Sequence, residues 1–327
     1  MQNQNFLDSL FVEYTGASPG ATVAIIQNGN ILEARAYGMA NVEKGEKLTT
    51  SHNLRLASIT KQFTAAAILL LIEQGKLDSS STLADIFPDF PGYGEAITVH
   101  QLLQHSSGLL AYEDLASDSL ERQMLDADVL KIMMEQDSTY FEPGTQYRYS
   151  NSGYAVLAMI VEQISGQTFS GFLDQNIFEP LGMINSMAHQ EGVTEVNNRA
   201  LGHTIDNGTA MVNDQSRFSA VLGDGGIYTS VEELALWDAA QYSDKLLSAD
   251  SRHRMTTPEI DVYGYGLRID EYKGQKRVHH TGSTRGFRNV MQRFPEQKLT
   301  IIILTNRSEP DVAPIADKIA NHYLESQ

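Results

Sequence analysis

The chain has 327 residues, 42% hydrophobic and 20% charged, with 24 Lys and Arg against 41 Asp and Glu for a formal charge of −17. That length suggests about two structural units or one large one, and the apolar content supports a buried core and excludes wholesale disorder. So acidic a chain disfavours nucleic-acid and membrane-surface partners, and the lack of any cysteine excludes disulfides, thiolate metal sites and a thiol nucleophile.

The segment Met1–Leu10 lacks the basic-then-apolar pattern of a secretory leader. The longest apolar run, Ala65–Ile72, falls well short of the roughly 20 residues that span a bilayer as a helix. A cytoplasmic chain with no membrane span is the expectation. A short helix over Phe6–Tyr14 leads into two strand-like runs, Ala21–Ile26 and Ile31–Tyr37, separated by a turn holding Asn28-Gly29, a strong hairpin signal. Gly16-Ala17-Ser18-Pro19-Gly20 matches the Gly-x-Ser-x-Gly pattern of a nucleophile elbow, but that device needs a strand before the serine and an N–H after it. Pro19 has no N–H, so the segment reads as a helix-to-strand turn.

Helical spacing or strong helix formers then recur over Lys61–Gln74, Val99–Gln104, Ala127–Glu135, Tyr154–Ile164, Ser170–Ile177 and Val231–Tyr242. Strand-like segments return at Lys276–His279, Phe287–Phe294 and Lys298–Leu304, and Asp311–Leu324 closes the chain as an amphipathic helix. The economical arrangement is α/β (α+β): both termini, residues 1–50 and 256–327, build one antiparallel sheet flanked by helices, and residues 51–255 form an inserted helical domain, with a cleft between.

Three fragments carry chemistry. Ser58-Ile59-Thr60-Lys61 stands at the head of an apolar helix, where residues three apart share a face, so the amine of Lys61 can reach the hydroxyl of Ser58. A serine is a weak nucleophile until a neighbouring base takes its proton, and Lys61 can be that base if it is held uncharged. By itself the pattern arises by chance about once in a chain this long. Tyr149-Ser150-Asn151 supplies a phenol able to share the proton transfer and an amide able to orient the lysine and a substrate carbonyl. His280-Thr281-Gly282-Ser283 leads out of a strand. Its glycine admits a substrate backbone, and its following N–H can face a developing oxyanion.

Each pattern occurs once, in this order. Together with His105-Ser106-Ser107-Gly108-Leu109, Pro180-Leu181-Gly182-Met183 and Gly225-Gly226-Ile227-Tyr228-Thr229-Ser230, they make the chain resemble the serine β-lactamase and penicillin-binding-protein superfamily. The likeness runs from about Ala21 to Asn306 and is to the class C-like branch, with its D-Ala-D-Ala carboxypeptidases, D-aminopeptidases and related esterases. The resemblance implies a β-lactamase/transpeptidase-like fold with an all-helical insertion and an acyl-enzyme mechanism needing no cofactor and no metal. Ser58 would be the nucleophile, Lys61 and Tyr149 the proton-transfer pair, the N–H groups of Ser58 and Ser283 the oxyanion hole, and Asn151, His280, Thr281 and Gly282 the substrate contacts. Many family β-lactamases carry lysine where this chain has His280. A histidine is mostly neutral at pH 7, which ranks ester and D-amino-acid peptide or amide hydrolysis ahead of β-lactam hydrolysis. Arg288 is the replacement cation for a substrate carboxylate, weighed against an exposed strand arginine. His105, in a polar turn, is expected to hold loop backbone. The partner is a small-molecule or peptide substrate, bound in a pocket shaped by the loops Ala111–Glu121 and His189–Asn213. The competing reading is a penicillin-recognising or peptidoglycan-binding module with little or no turnover.

Overall fold

The computed structural model describes residues 2–117 and 121–325, so the tip of the Ala111–Glu121 loop, residues 118–120, lies outside the described residues. Six strands form one antiparallel sheet: β1 (Ala21–Gln27), β2 (Asn30–Tyr37), β3 (Arg268–Tyr272), β4 (Gln275–Thr284), β5 (Phe287–Phe294) and β6 (Leu299–Thr305), in the spatial order β3-β4-β5-β6-β1-β2. The first and last parts of the chain meet at its centre, where Ala21 pairs with Thr305 and Gln27 with Leu299. Asn28 and Gly29 both take positive φ, 53° and 76°, as a two-residue hairpin turn of matching twist requires. Strand β3 and its tight turn at Lys273-Gly274 are an addition to the pattern read from the sequence.

The main helices are α1 (Gln2–Leu10), α2 (Lys61–Glu73), α3 (Asn151–Ser165), α4 (Val231–Ala240) and α5 (Ala313–Leu324). Side chains alternate across a strand, so the sheet buries both faces. Val23 and Ile25 of β1 pack with Ile301 and Ile303 against Leu7 ahead of the α1 terminus and Ile319 of α5. Ala24, Ile26, Ile302 and Leu304 join a larger core with Phe63 and Trp237 on the other face. Helix α2 is buried over most of its circumference, as a helix apolar all round must be, and forms the spine of the helical part. Helix α4 packs on the sheet: Asp238 Oδ1 accepts from Arg293 Nε of β5 at 2.7 Å and from Thr300 Oγ1 of β6 at 2.8 Å.

Residues 51–255 are mainly helical and also carry short strands. Leu54–Arg55, Ile227–Thr229 and Met187–Ala188 make a three-stranded sheet, and His203–Asp206 with Thr209–Val212 a separate hairpin. Two-residue strands are too short for period-2 alternation to reveal. The expected first helix stops at Leu10 and resumes as a 3-10 turn over Val12–Tyr14. Among the described residues no helix is long and apolar enough to cross a membrane.

Candidate active site

Ser58 lies in a 3-10 turn, Ala57–Thr60, that runs directly into α2. Ala57 holds a φ of 51°, a left-handed conformation that costs a residue with a Cβ roughly 1–3 kcal/mol and persists only where the surroundings enforce it. Here they do. Leu56 N–H donates to Ile227 O at 2.8 Å, Ile227 N–H to Thr60 Oγ1 at 3.2 Å, and the Asn289 amide of β5 to the carbonyls of Arg55 and Leu56 at 2.8 and 3.2 Å. The serine is thus presented by a turn pinned to both sheets.

Lys61, the first residue of α2, is fully buried. Its Nζ donates to Ser58 Oγ at 3.2 Å, to Asn151 Oδ1 at 2.9 Å and to the carbonyl of Asp224 at 2.7 Å, which uses all three N–H directions of an ammonium. Asn151 opens α3, whose N-terminus is capped by Ser150 accepting from Gly153 N–H at 3.0 Å, so the cap fixes where the Asn151 side chain begins. The other end of that amide donates to Glu113 Oε1 at 2.7 Å. The ring of Tyr149, one residue before the cap, has its centroid 5.0 Å from Lys61 Nζ. Chain segments around 58, 150 and 224 therefore converge on one amine, and Glu113 joins them through Asn151.

A cavity of about 280 Å³ opens at Ser58, with Asn151, Glu113 and Asp224 on the helical side and Ser283, Thr284 and Arg285 on the sheet side. Asp224 accepts from Tyr112 OH at 3.0 Å. Burial pushes its carboxyl up to about 6 against the opposing pull of Lys61. The one-turn helix that carries Asp224, Leu222–Gly225, is held at its start by the buried carboxyl of Asp126, which accepts from Leu222 and Gly223 N–H at 2.8 and 3.0 Å.

A family model described as Beta-lactamase matches residues 7–324. The chain belongs to the beta-lactamase family. It is 29% identical to penicillin-binding protein 4* of Bacillus subtilis, over 94% of this chain and 72% of that protein. It is 27% identical to the D-aminopeptidase of Brucella ovis, over 98% of this chain and 62% of that enzyme, so it spans less than two thirds of that relative. The octameric penicillin-binding protein homologue from Pyrococcus abyssi superposes with a TM-score of 0.87 at 28% identity, covering 98% of this chain and 76% of the other. The D-amino acid amidase of Ochrobactrum anthropi SV3 shares the fold, with a TM-score of 0.84 at 21% identity and full coverage of both chains.

Within this beta-lactamase family site, several residues singled out from the sequence stand away from the cavity. Strand β4 alternates, so His280 turns inward: it is buried, its Nδ1–H donates to Thr281 O at 2.6 Å and its Nε2 accepts from Tyr263 OH at 2.9 Å. Burial first and the Lys61 charge second push its imidazole down to about 3, so it offers no cation to a substrate. Thr281 is exposed on the opposite face, outside the cavity lining. Gly282 acts through the backbone: a Cβ there would stand 2.0 Å from Leu56 O, so only glycine lets β4 lie against the nucleophile turn. Arg288 is a correction. Its guanidinium donates to the carbonyls of Thr284 and Phe287 at 2.7 and 2.8 Å and braces the hairpin, because its place in β5 turns it away from Ser58. Two cations line the cavity: Arg55, buried and donating to the carbonyls of Gly225 and Ser219 at 3.1 and 2.9 Å, and Arg285 of the β4–β5 turn, exposed and without an ion pair among the described residues.

Glu113, Asp224 and Arg285 were missed by sequence reasoning. One of two adjacent acids in a short helix, an aspartate in a Gly-rich segment and a turn arginine carry no spacing signal; only their convergence marks them.

Proposed function

We propose that the chain is a serine acyl hydrolase that forms an acyl-enzyme on Ser58 and acts on amides and short peptides of D-amino acids with a free amino group. The observation that carries the choice of substrate is Glu113, a half-buried carboxylate on the cavity wall, hydrogen-bonded to the same Asn151 that bonds Lys61. A carboxylate so placed offers an ammonium group a charge-assisted hydrogen bond beside the nucleophile. A simple ester has no use for it. The relatives named for D-amino-acid substrates supply the stereochemical part of the reading.

In the first half-reaction Ser58 Oγ bonds to the acyl carbon, the carbonyl electron pair moves onto oxygen opposite the N–H groups of Ser58 and Ser283 and returns as the C–N bond breaks, and the Lys61–Tyr149 pair gives a proton to the departing nitrogen as it takes the serine proton in its place. In the second, water gives its proton to the same pair and its oxygen to the acyl carbon, and Ser58 leaves with a proton restored. With His280 neutral and turned inward, the position on β4 where many family β-lactamases carry a lysine holds no charge, which supports weak or absent β-lactam hydrolysis.

The test is turnover of D-alanine p-nitroanilide, its L-enantiomer, p-nitrophenyl acetate and nitrocefin, with intact mass after fluorophosphonate treatment. The reading requires continuous release from the D-anilide, one fluorophosphonate adduct that Ser58→Ala abolishes, and a KM for the D-anilide raised about tenfold by Glu113→Gln, the scale of one charged hydrogen bond. Labelling that survives loss of Ser58 overturns the nucleophile. A burst without steady turnover on every substrate favours the penicillin-recognising module instead.

A further inference from the structure

His105 is fully buried beside the site and is used by none of the steps above. It holds a φ of 59°, a left-handed conformation that histidine adopts more often than most residues other than glycine, and that twist aims two of its acceptors at one short stretch of chain. Its carbonyl accepts from Arg148 N–H at 2.9 Å and its Nδ1 from Ser150 N–H at 3.1 Å. The two bonds bracket Tyr149 on either side. The imidazole itself lies on the Tyr149 ring, centroids 4.3 Å apart, and at the same 4.3 Å from Tyr263, with Tyr154 at 5.0 Å. Since Nδ1 accepts, the ring proton is on Nε2, a buried atom with no hydrogen-bond partner. An orphaned N–H in a closed aromatic nest is costly, and a hydrophobic ring of similar size would remove it only by leaving the buried Ser150 N–H without its acceptor.

We propose that His105 is a positioning residue for Tyr149. It clamps the backbone on both sides of the tyrosine and backs the phenol ring, so that the ring cannot swing away from Lys61 as the acyl group arrives. The inference rests on the proposed role of Tyr149. Neutrality of the ring is part of the device. Burial, and then the charge of Lys61, hold His105 well below the usual histidine range, so Nδ1 remains an acceptor across the working pH range. A displaced reacting group of about 1 Å costs on the order of a hundredfold in rate, which sets the expected scale.

The test is a double-mutant cycle between His105 and Tyr149, read with D-alanine p-nitroanilide and p-nitrophenyl acetate on the full chain. His105→Asn keeps an acceptor and tolerates the left-handed backbone but removes the ring; His105→Phe keeps a ring and removes the acceptor. We expect either folded variant to lower kcat by about 10- to 100-fold with KM changed less than about threefold. In a Tyr149→Phe background the same His105 changes should cost little more, because the group they position is already gone. Losses that multiply fully across the two sites overturn the inference and leave the role of Tyr149 standing. An effect on KM alone, or wild-type kcat in a folded variant, also overturns it. If Tyr149→Phe retains full activity, the proposed function and this inference fall together. If neither His105 variant folds, nor His105→Gln, the residue serves folding and the inference is wrong.

Discussion

A Cβ added at Gly282 would stand 2.0 Å from the carbonyl oxygen of Leu56, a contact no real pair of atoms makes. The same carbonyl accepts from Asn289, the residue that pairs with Gly282 across β4 and β5. Strand and nucleophile turn are therefore fixed to each other through one backbone oxygen. Gly282→Ala should push them apart, costing about 1–3 kcal/mol of stability as an overpacked site does. It should also lower kcat/KM on p-nitrophenyl acetate by about a hundredfold through displacement of the turn. Urea unfolding and steady-state rates check both; an active, undiminished variant would show that the strand need not touch the turn.

Acid should destabilise the protein through two histidines of β4, the buried His280 and the partly buried His279. Burial, with Lys61 next for His280 and Arg277 for His279, holds the two rings down to about 3 and about 4; in the unfolded chain both titrate near about 6.5. Between those values the unfolded chain binds protons that the native state refuses, so stability is full above about pH 6.5 and declines as pH falls toward about 3. Urea midpoints at pH 7, 6, 5 and 4 should fall steadily, and His280→Gln, whatever its offset, should show a shallower decline. Parallel curves would remove His280 from the account.

Asp126 should act in the opposite sense. Burial pushes its carboxyl up to about 8 even though Leu222 and Gly223 N–H groups favour the charged form. A raised acid contributes stability that is full below its unfolded value of about 3.9 and is lost as pH rises through its folded value. Asp126→Asn, which cannot ionise, should flatten the fall in melting temperature between pH 6 and 9. An unchanged slope would mean that the native carboxyl is ionised throughout.

Arg285 and Arg288 should separate cleanly. Arg285, the exposed one of the two arginines on the cavity wall, is available to a leaving group that ends in a carboxylate. The ratio of kcat/KM for D-alanylglycine over D-alanylglycinamide should exceed one, fall toward one in Arg285→Ala and shrink with added salt, as a half-exposed ion pair does. Arg288→Ala should show its effect as lost stability of about 1 kcal/mol, through two turn carbonyls deprived of their donor. A ratio of one in the unaltered protein would remove Arg285 from substrate recognition.

Much of the architecture is legible in the chain because its determinants are local. Asn28-Gly29 can hardly be anything but a hairpin turn, and the apolar run of α2 can only be buried. The order Ser-x-x-Lys, Tyr-x-Asn, His-Thr-Gly is a pattern of residue types that survives without coordinates. Strand β3 escaped because its alternation is faint, Arg268-Ile269-Asp270-Glu271-Tyr272, and the two-residue strands because pairing, not propensity, creates them.

The amino-acid order alone determined the family and the sheet built from both ends of the chain, and it singled out Ser58, Lys61 and Tyr149 as the residues to test, since a set of residue types in a fixed order along the chain can be read without coordinates. Which way a side chain faces, and what stands opposite it, was decided only by tertiary packing. The inward turn of His280, the engagement of Arg288 with its own hairpin, the meeting of Glu113 with Asn151 and the clamp of His105 around Tyr149 all depend on distances between segments remote along the chain. Hydrogen bonds and burial act over a few ångströms of space, and the spacing of letters in a sequence carries no record of that separation until the chain has folded.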